Sequence, residues 1–134
     1  MAYQFPSDVW VKALMEELNH SQAYAEAAKN WEGDFVFVVE PGGTLASPSL
    51  LYMDLWHGKC REAFEVTGDK PAAFRLSAPA ATWKRVITKQ LDPIQGIMTG
   101  QLKLKGNLAM VMKGVGAAKE LVAGCTRIET EFPV

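Results

Sequence analysis

The chain has no long hydrophobic run. Its longest unbroken apolar stretches are five residues, Phe35–Val39 and Leu108–Met112, against the roughly 20 that a membrane-crossing helix needs. The amino terminus has no basic patch leading into an apolar stretch, so no secretory signal is expected. There are two cysteines, Cys60 and Cys125, in no CxxC arrangement. A disulfide scaffold and a zinc knuckle are excluded, and a reducing cytoplasm is the expected location. Only two histidines occur, His20 and His57, which restricts metal and triad chemistry; no metal and no cofactor is expected. Neither a GxSxG elbow nor a P-loop is present. Gly114-Val115-Gly116 lacks the third glycine and the preceding strand of a dinucleotide site. The formal net charge is −1, with no interleaving of aromatic and basic residues, so nucleic acid is not an expected partner.

What remains is a globular composition. Of 134 residues, 49% are hydrophobic and 22% charged, enough to build one core, and a single domain spanning 1–134 is expected. Charge is unevenly placed. Residues 1–70 carry five basic and eleven acidic side chains, net −6; residues 75–119 carry eight basic side chains and one acid, Asp92, net +7.

Local patterns give the elements. Ser7 caps a helix on which Trp10, Leu14 and Leu18 recur at four-residue spacing. Ser21 caps a second helix, Gln22 to Trp31. Asp34–Glu40 alternates as a strand, with Phe35, Phe37 and Val39 on the core face. Leu50–His57 and Cys60–Val66 flank the tight turn Gly58-Lys59, a hairpin. Phe74, Leu76 and Ala78 mark a fourth strand. Pro79 opens a helix through Trp83, Val86 and Ile87 to about Lys89. Asp92-Pro93 starts a short helix carrying Ile94, Ile97 and Met98 and ending at Gly100. Gln101–Lys105 alternates as a fifth strand. Asn107 caps a last helix weakened by Gly114 and Gly116. The order is ααββββααβα, an α+β arrangement. Because Leu108–Met112 has no polar face, that helix is expected to be buried on both sides.

The segment Met98-x-Gly100-x-Leu102-x-Leu104-x-Gly106-Asn107, with Leu91-Asp92-Pro93 before it and Leu108–Lys113 after it, resembles the sterol carrier protein 2 (SCP-2) lipid-binding family. Ala80-Ala81-Thr82-Trp83, on a helix after a strand, fits the same pattern. The resemblance implies a five-stranded mixed sheet of order 3-2-1-4-5, its first and fourth strands parallel. It also implies helices over one face and an apolar tunnel for fatty acid, acyl-CoA or sterol-like lipids. Asn107 stands where aspartate is more usual, and the Ser-Lys-Leu tail of some members is absent, so a stand-alone bacterial-type member is expected.

Residues placed to wall such a tunnel are Phe35, Phe37, Met53, Leu55, Trp83, Ile94, Met98, Leu102, Leu104, Leu108, Val111, Met112 and Val115. Each also serves as ordinary core, since a tunnel wall is a core residue facing a void. Thioethers adapt to differing chains. Lys84, Arg85, Lys89 and Lys113 are placed to meet anionic phospholipid or a CoA phosphate, or form a solvated face. Lys103 and Lys105 guard an edge strand. Three functions stay open. The first is a non-enzymatic lipid carrier. The second is an accessory module presenting an apolar substrate to a partner enzyme. The third is a small enzyme using Asp54 or His57, although their three-residue separation on a strand points them to opposite faces. Oligomeric state is left open.

Overall fold

The computed structural model describes residues 2–134. The helix α1 spans Asp8–Asn19, and Ser7 Oγ accepts from Trp10 N at 3.1 Å, as a helix cap should. Its buried side is Trp10, Val11, Leu14 and Leu18. α2 spans Gln22–Ala27 under a Ser21 cap. It ends sooner than expected because the Trp31 amide turns back onto the Ala28 carbonyl at 2.9 Å. After that turn the Trp31 indole stacks on Phe35 and lies tilted against Phe74.

Five strands form the main sheet: β2 (Glu32–Glu40), β3 (Ser49–Trp56), β4 (Lys59–Val66), β5 (Phe74–Pro79) and β6 (Lys103–Lys105), in the order β4-β3-β2-β5-β6. β2 and β5 are parallel, and the other neighbours are antiparallel. The expected strand order therefore stands. A short β1 (Tyr3–Gln4) shifts each number by one; it pairs in parallel with β7 (Thr130–Glu131). This second ladder has no local sequence signal, and Trp10 Nε1 ties α1 to it through Thr130 Oγ1 at 3.0 Å. The β3–β4 turn is made by His57 (φ 48°) and Gly58 (φ 78°), both left-handed. Their twist suits a two-residue hairpin.

Register places Phe35 and Phe37 opposite Met53 and Leu51 on one side, and Phe74 and Leu76 on the other. This face carries the core, under α1, α3 (Ala80–Ile87) and α6 (Val115–Thr126). The reverse face carries a small buried cluster of its own, Val36, Val38 and Tyr52, with Phe64 and Val66 packed against it. Pro79 is the last strand residue and not the first helical one, a boundary displacement of one.

α4 (Pro93–Met98) starts as expected, with Asp92 Oδ2 accepting from Gln95 N at 2.9 Å. The fifth expected strand is shorter than its alternation suggests. Gln101 N and Leu102 N both donate to the Gly96 carbonyl, at 2.9 and 3.0 Å, which pulls them off the ladder and onto the end of α4. The last helix is two helices, α5 (Leu108–Lys113) and α6, joined at Gly114. A Cβ at Gly114 would stand 3.0 Å from two Trp31 ring carbons, so the joint takes the one residue that lets the indole this close. The expectation that Leu108–Met112 is buried on both sides is wrong. Only Val111 is buried in α5, because this six-residue helix lies at the margin and the chain turns at Gly114 before α6 reaches the core.

Candidate functional site

Between the core face of the sheet and the α4–α6 side lies a cavity of about 100 Å³ that opens to solvent. Phe35, Phe37, Leu55, Leu76 and Leu104 form its floor, and Trp83 and Val86 of α3 one wall. Ile94 and Ile97 of α4, Val111 of α5, and Ala117, Ala118, Leu121 and Val122 of α6 close the other side. Of the half-buried lining residues, Pro93, Ile94, Ile97, Gly114 and Ala118 lie on the helical side and are termed its rim.

Carbon makes nearly all of this surface. Trp31 Nε1 donates to the Gly33 carbonyl at 3.0 Å, and Trp83 Nε1 to the buried Val38 carbonyl at 2.9 Å. Both indole N–H groups are thus spent on backbone, and the rings offer only their carbon faces to the space. Phe35 stacks on Phe37 and on Phe74, with centroids at 5.1 and 4.9 Å. The lining contains no Asp, Glu, Lys, Arg or His. Such a site accommodates apolar matter and leaves a polar head outside.

Seven of the thirteen residues expected to wall a tunnel line this space: Phe35, Phe37, Leu55, Trp83, Ile94, Leu104 and Val111. Met53 lines a neighbouring space, and Leu102 is buried against Gly96. Met98, Leu108, Met112 and Val115 stand outside, 61%, 44%, 39% and 41% exposed. Together with Met110 they form an exposed apolar group within residues 98–115. Sequence reasoning missed Tyr24, Trp31, Leu76, Val86, Ile97 and the α6 wall. Ala117, Ala118, Leu121 and Val122 do carry a helical i, i+4 pattern, the signal by which α6 was findable.

The titratable groups considered for catalysis are engaged elsewhere. The Asp54 carboxylate accepts from Arg61 Nε and Nη2 at 3.0 and 3.1 Å. His57 bonds through Nε2 to Glu32 Oε2 at 2.6 Å and through Nδ1 to the Lys29 carbonyl at 2.8 Å. The Glu32 carboxylate first, then the Lys29 carbonyl, holds the imidazole pKa above its usual value. Cys60 and Cys125 are buried, and desolvation pushes each thiol up to about 12, so neither is an activated nucleophile.

Of the basic residues, Lys84 Nζ donates to the Val134 backbone oxygen at 2.9 Å. Arg85 donates to Gln101 Oε1 at 2.9 Å. Lys89 and Lys113 are exposed, and Lys113 and Lys119 directly adjoin the rim residues Gly114 and Ala118. Lys103 and Lys105 lie on the edge strand β6. Among the described residues no helix is long and apolar enough to cross a membrane.

A family model described as the SCP-2 sterol transfer family matches residues 11–119. Among solved structures, a crystal structure of sterol carrier protein 2 is 36% identical, covers 91% of this chain and 97% of its own, and superposes with a TM-score of 0.83. The solution structure of a conserved hypothetical protein of Thermus thermophilus, described as a candidate sterol carrier protein, is also 36% identical. It covers 92% of this chain and 88% of its own, with a TM-score of 0.85. The apo form of sterol carrier protein 2 from Yarrowia lipolytica shares the fold at 20% identity, covering 91% of this chain and 93% of its own, with a TM-score of 0.63. No curated protein matches the chain.

Proposed function

Because the chain belongs to the SCP-2 sterol transfer family, we propose that it binds the apolar tail of a lipid in the space beneath α4–α6 and carries it without covalent chemistry. The observation that carries this reading is the lining: a cavity walled by carbon, with both nearby indole N–H groups turned into backbone. The ligand class is a fatty acid, acyl-CoA or sterol-like molecule. Each methylene moved from water into such a space gains about 0.8 kcal/mol, so a twelve-carbon tail gains on the order of 9 kcal/mol before ordering costs. That gain offers the tail an alternative to water when it leaves a bilayer. The head group stays at the rim, where Lys113 and Lys119 supply positive charge beside Gly114 and Ala118.

Loading takes place at an anionic membrane surface. The exposed apolar group Met98, Leu108, Met110, Met112 and Val115 supports this, as do Arg85, Lys89 and Lys113 in the basic third of the chain. Apolar side chains enter the headgroup region while lysine and arginine meet anionic lipid. Lys84 is the weakest member of this set, given its bond to Val134. The whole chain, 1–134, acts as one lipid-binding unit, and its two free thiols suit a reducing cytoplasm.

Displacement of a fluorescent fatty acid by fatty acids, acyl-CoA and a sterol tests the reading. Saturable binding and displacement by at least one of these classes is expected; no saturable binding of any of them overturns it.

A further inference from the structure

A second, smaller cavity of about 50 Å³ lies beside the first, between α1 and the core face of β2 and β3. Five residues line both spaces: Phe37, Trp83, Val86, Leu121 and Val122. They stand between the two spaces, and four of them are held in place. Trp83 is pinned through Nε1 to the Val38 carbonyl. Phe37 is stacked on Phe35 and meets the Trp83 ring edge-on at 5.8 Å. Val86 and Val122 are β-branched residues on helices, where one side-chain rotamer dominates. Leu121 differs. It is a half-buried, γ-branched side chain on α6 with no ring stack or polar partner, and two rotamers are open to it on a helix.

We propose that the two spaces are chambers of one site for a long, flexible acyl tail, with Leu121 as the movable partition that sets how long a tail is accepted. This rests on the lipid-carrier reading above. A short chain fills the first chamber and stops at Phe37 and Leu121. A longer chain turns Leu121 aside and continues towards Leu14, Met53 and Cys125, which line only the second chamber. A gap one side chain wide passes a file of methylenes and rejects a fused ring system, so the second chamber selects acyl chains over sterols.

The test is competition by a homologous series of saturated fatty acids, octanoic to stearic, against a fluorescent fatty acid. Wild type should bind stearic acid more tightly than octanoic acid. Cys125→Met fills part of the second chamber alone and should lower the stearic-to-octanoic affinity ratio about tenfold, the burial of roughly two methylenes. Leu121→Ala opens the partition and should raise that ratio. If circular dichroism shows Cys125→Met unfolded, Leu121→Phe, which thickens the partition, carries the same expected fall. Saturable wild-type binding with a ratio unmoved by these substitutions overturns the two-chamber site and leaves the carrier reading intact. Absence of binding by every chain length overturns both.

Discussion

The helices α1 and α5 are both rich in apolar residues, and they dispose of them in opposite ways. α1 has twelve residues, a serine cap and an outer side that is polar but for the exposed Val9, and it sinks Trp10, Val11, Leu14 and Leu18 into the core, each no more than 4% exposed. α5 has six residues and buries only Val111, leaving Leu108, Met110 and Met112 in solvent. The first is scaffold: its apolar face has found its partners within the chain. The second holds apolar surface that the chain itself does not cover, next to a space that the chain itself does not fill. In the proposed carrier, that surplus is where a lipid and its membrane meet the protein.

The contrast breaks or sharpens under substitution. The largest effect is expected from Leu18→Ala, which opens a hole at a fully buried position and should cost about 2–5 kcal/mol in urea unfolding. Met110→Ala, by comparison, should stay within about 0.5 kcal/mol. Equal losses would mean that α5 is scaffold too. Next comes Ala118→Phe, which sets a ring into the first cavity from its rim. Affinity for a fluorescent fatty acid should fall at least tenfold with the melting temperature nearly unchanged. Retained affinity would place the ligand elsewhere.

A smaller effect is expected among the exposed basic residues. Replacing any one of Arg85, Lys89 and Lys113 by glutamine should slow lipid uptake from anionic vesicles roughly fivefold, at about 1 kcal/mol per charge. Uptake from neutral vesicles should be spared, and the difference should shrink in high salt. Identical rates from both kinds of vesicle would remove the membrane role of these residues. The smallest effect belongs to the α1 half of the molecule, at the β3–β4 turn. The His57 pKa is raised by Glu32, so the charged histidine stabilises the fold. Its contribution is full below the unfolded histidine value of 6.5 and is lost as pH rises through the higher folded value. His57→Asn, which tolerates the left-handed backbone, should lower the melting temperature slightly in mild acid and not at alkaline pH. A difference that grows with pH would contradict the charged pair.

Features decided within a few residues were legible in the sequence. The Ser7 and Asp92-Pro93 caps, the β3–β4 hairpin (its turn expected one residue late, at Gly58-Lys59), the alternation of β2 and the Phe35–Phe37 face all follow from local chemistry. The motif around Met98–Asn107 carried the family and with it the strand order. Contacts far apart in sequence were not legible. Nothing near Gly114 announces that Trp31, more than eighty residues earlier, will lie against it and split the last helix. Nothing in Gln101-Leu102 shows that the Gly96 carbonyl will take both amides. The same limit shaped the site. Its floor came from strand alternation, whereas the i, i+4 pattern of Ala117, Ala118, Leu121 and Val122 marks a helix face without showing that it turns onto the sheet.

A structure of the complex with a twelve-carbon fatty acid tests the central claim most directly. The account predicts the alkyl chain between Phe35 and Leu104 on the sheet and Ala117 and Ala118 on α6, with its carboxylate at the rim near Lys113 and Lys119. A chain lodged on the outer surface, with that interior still vacant, would contradict it.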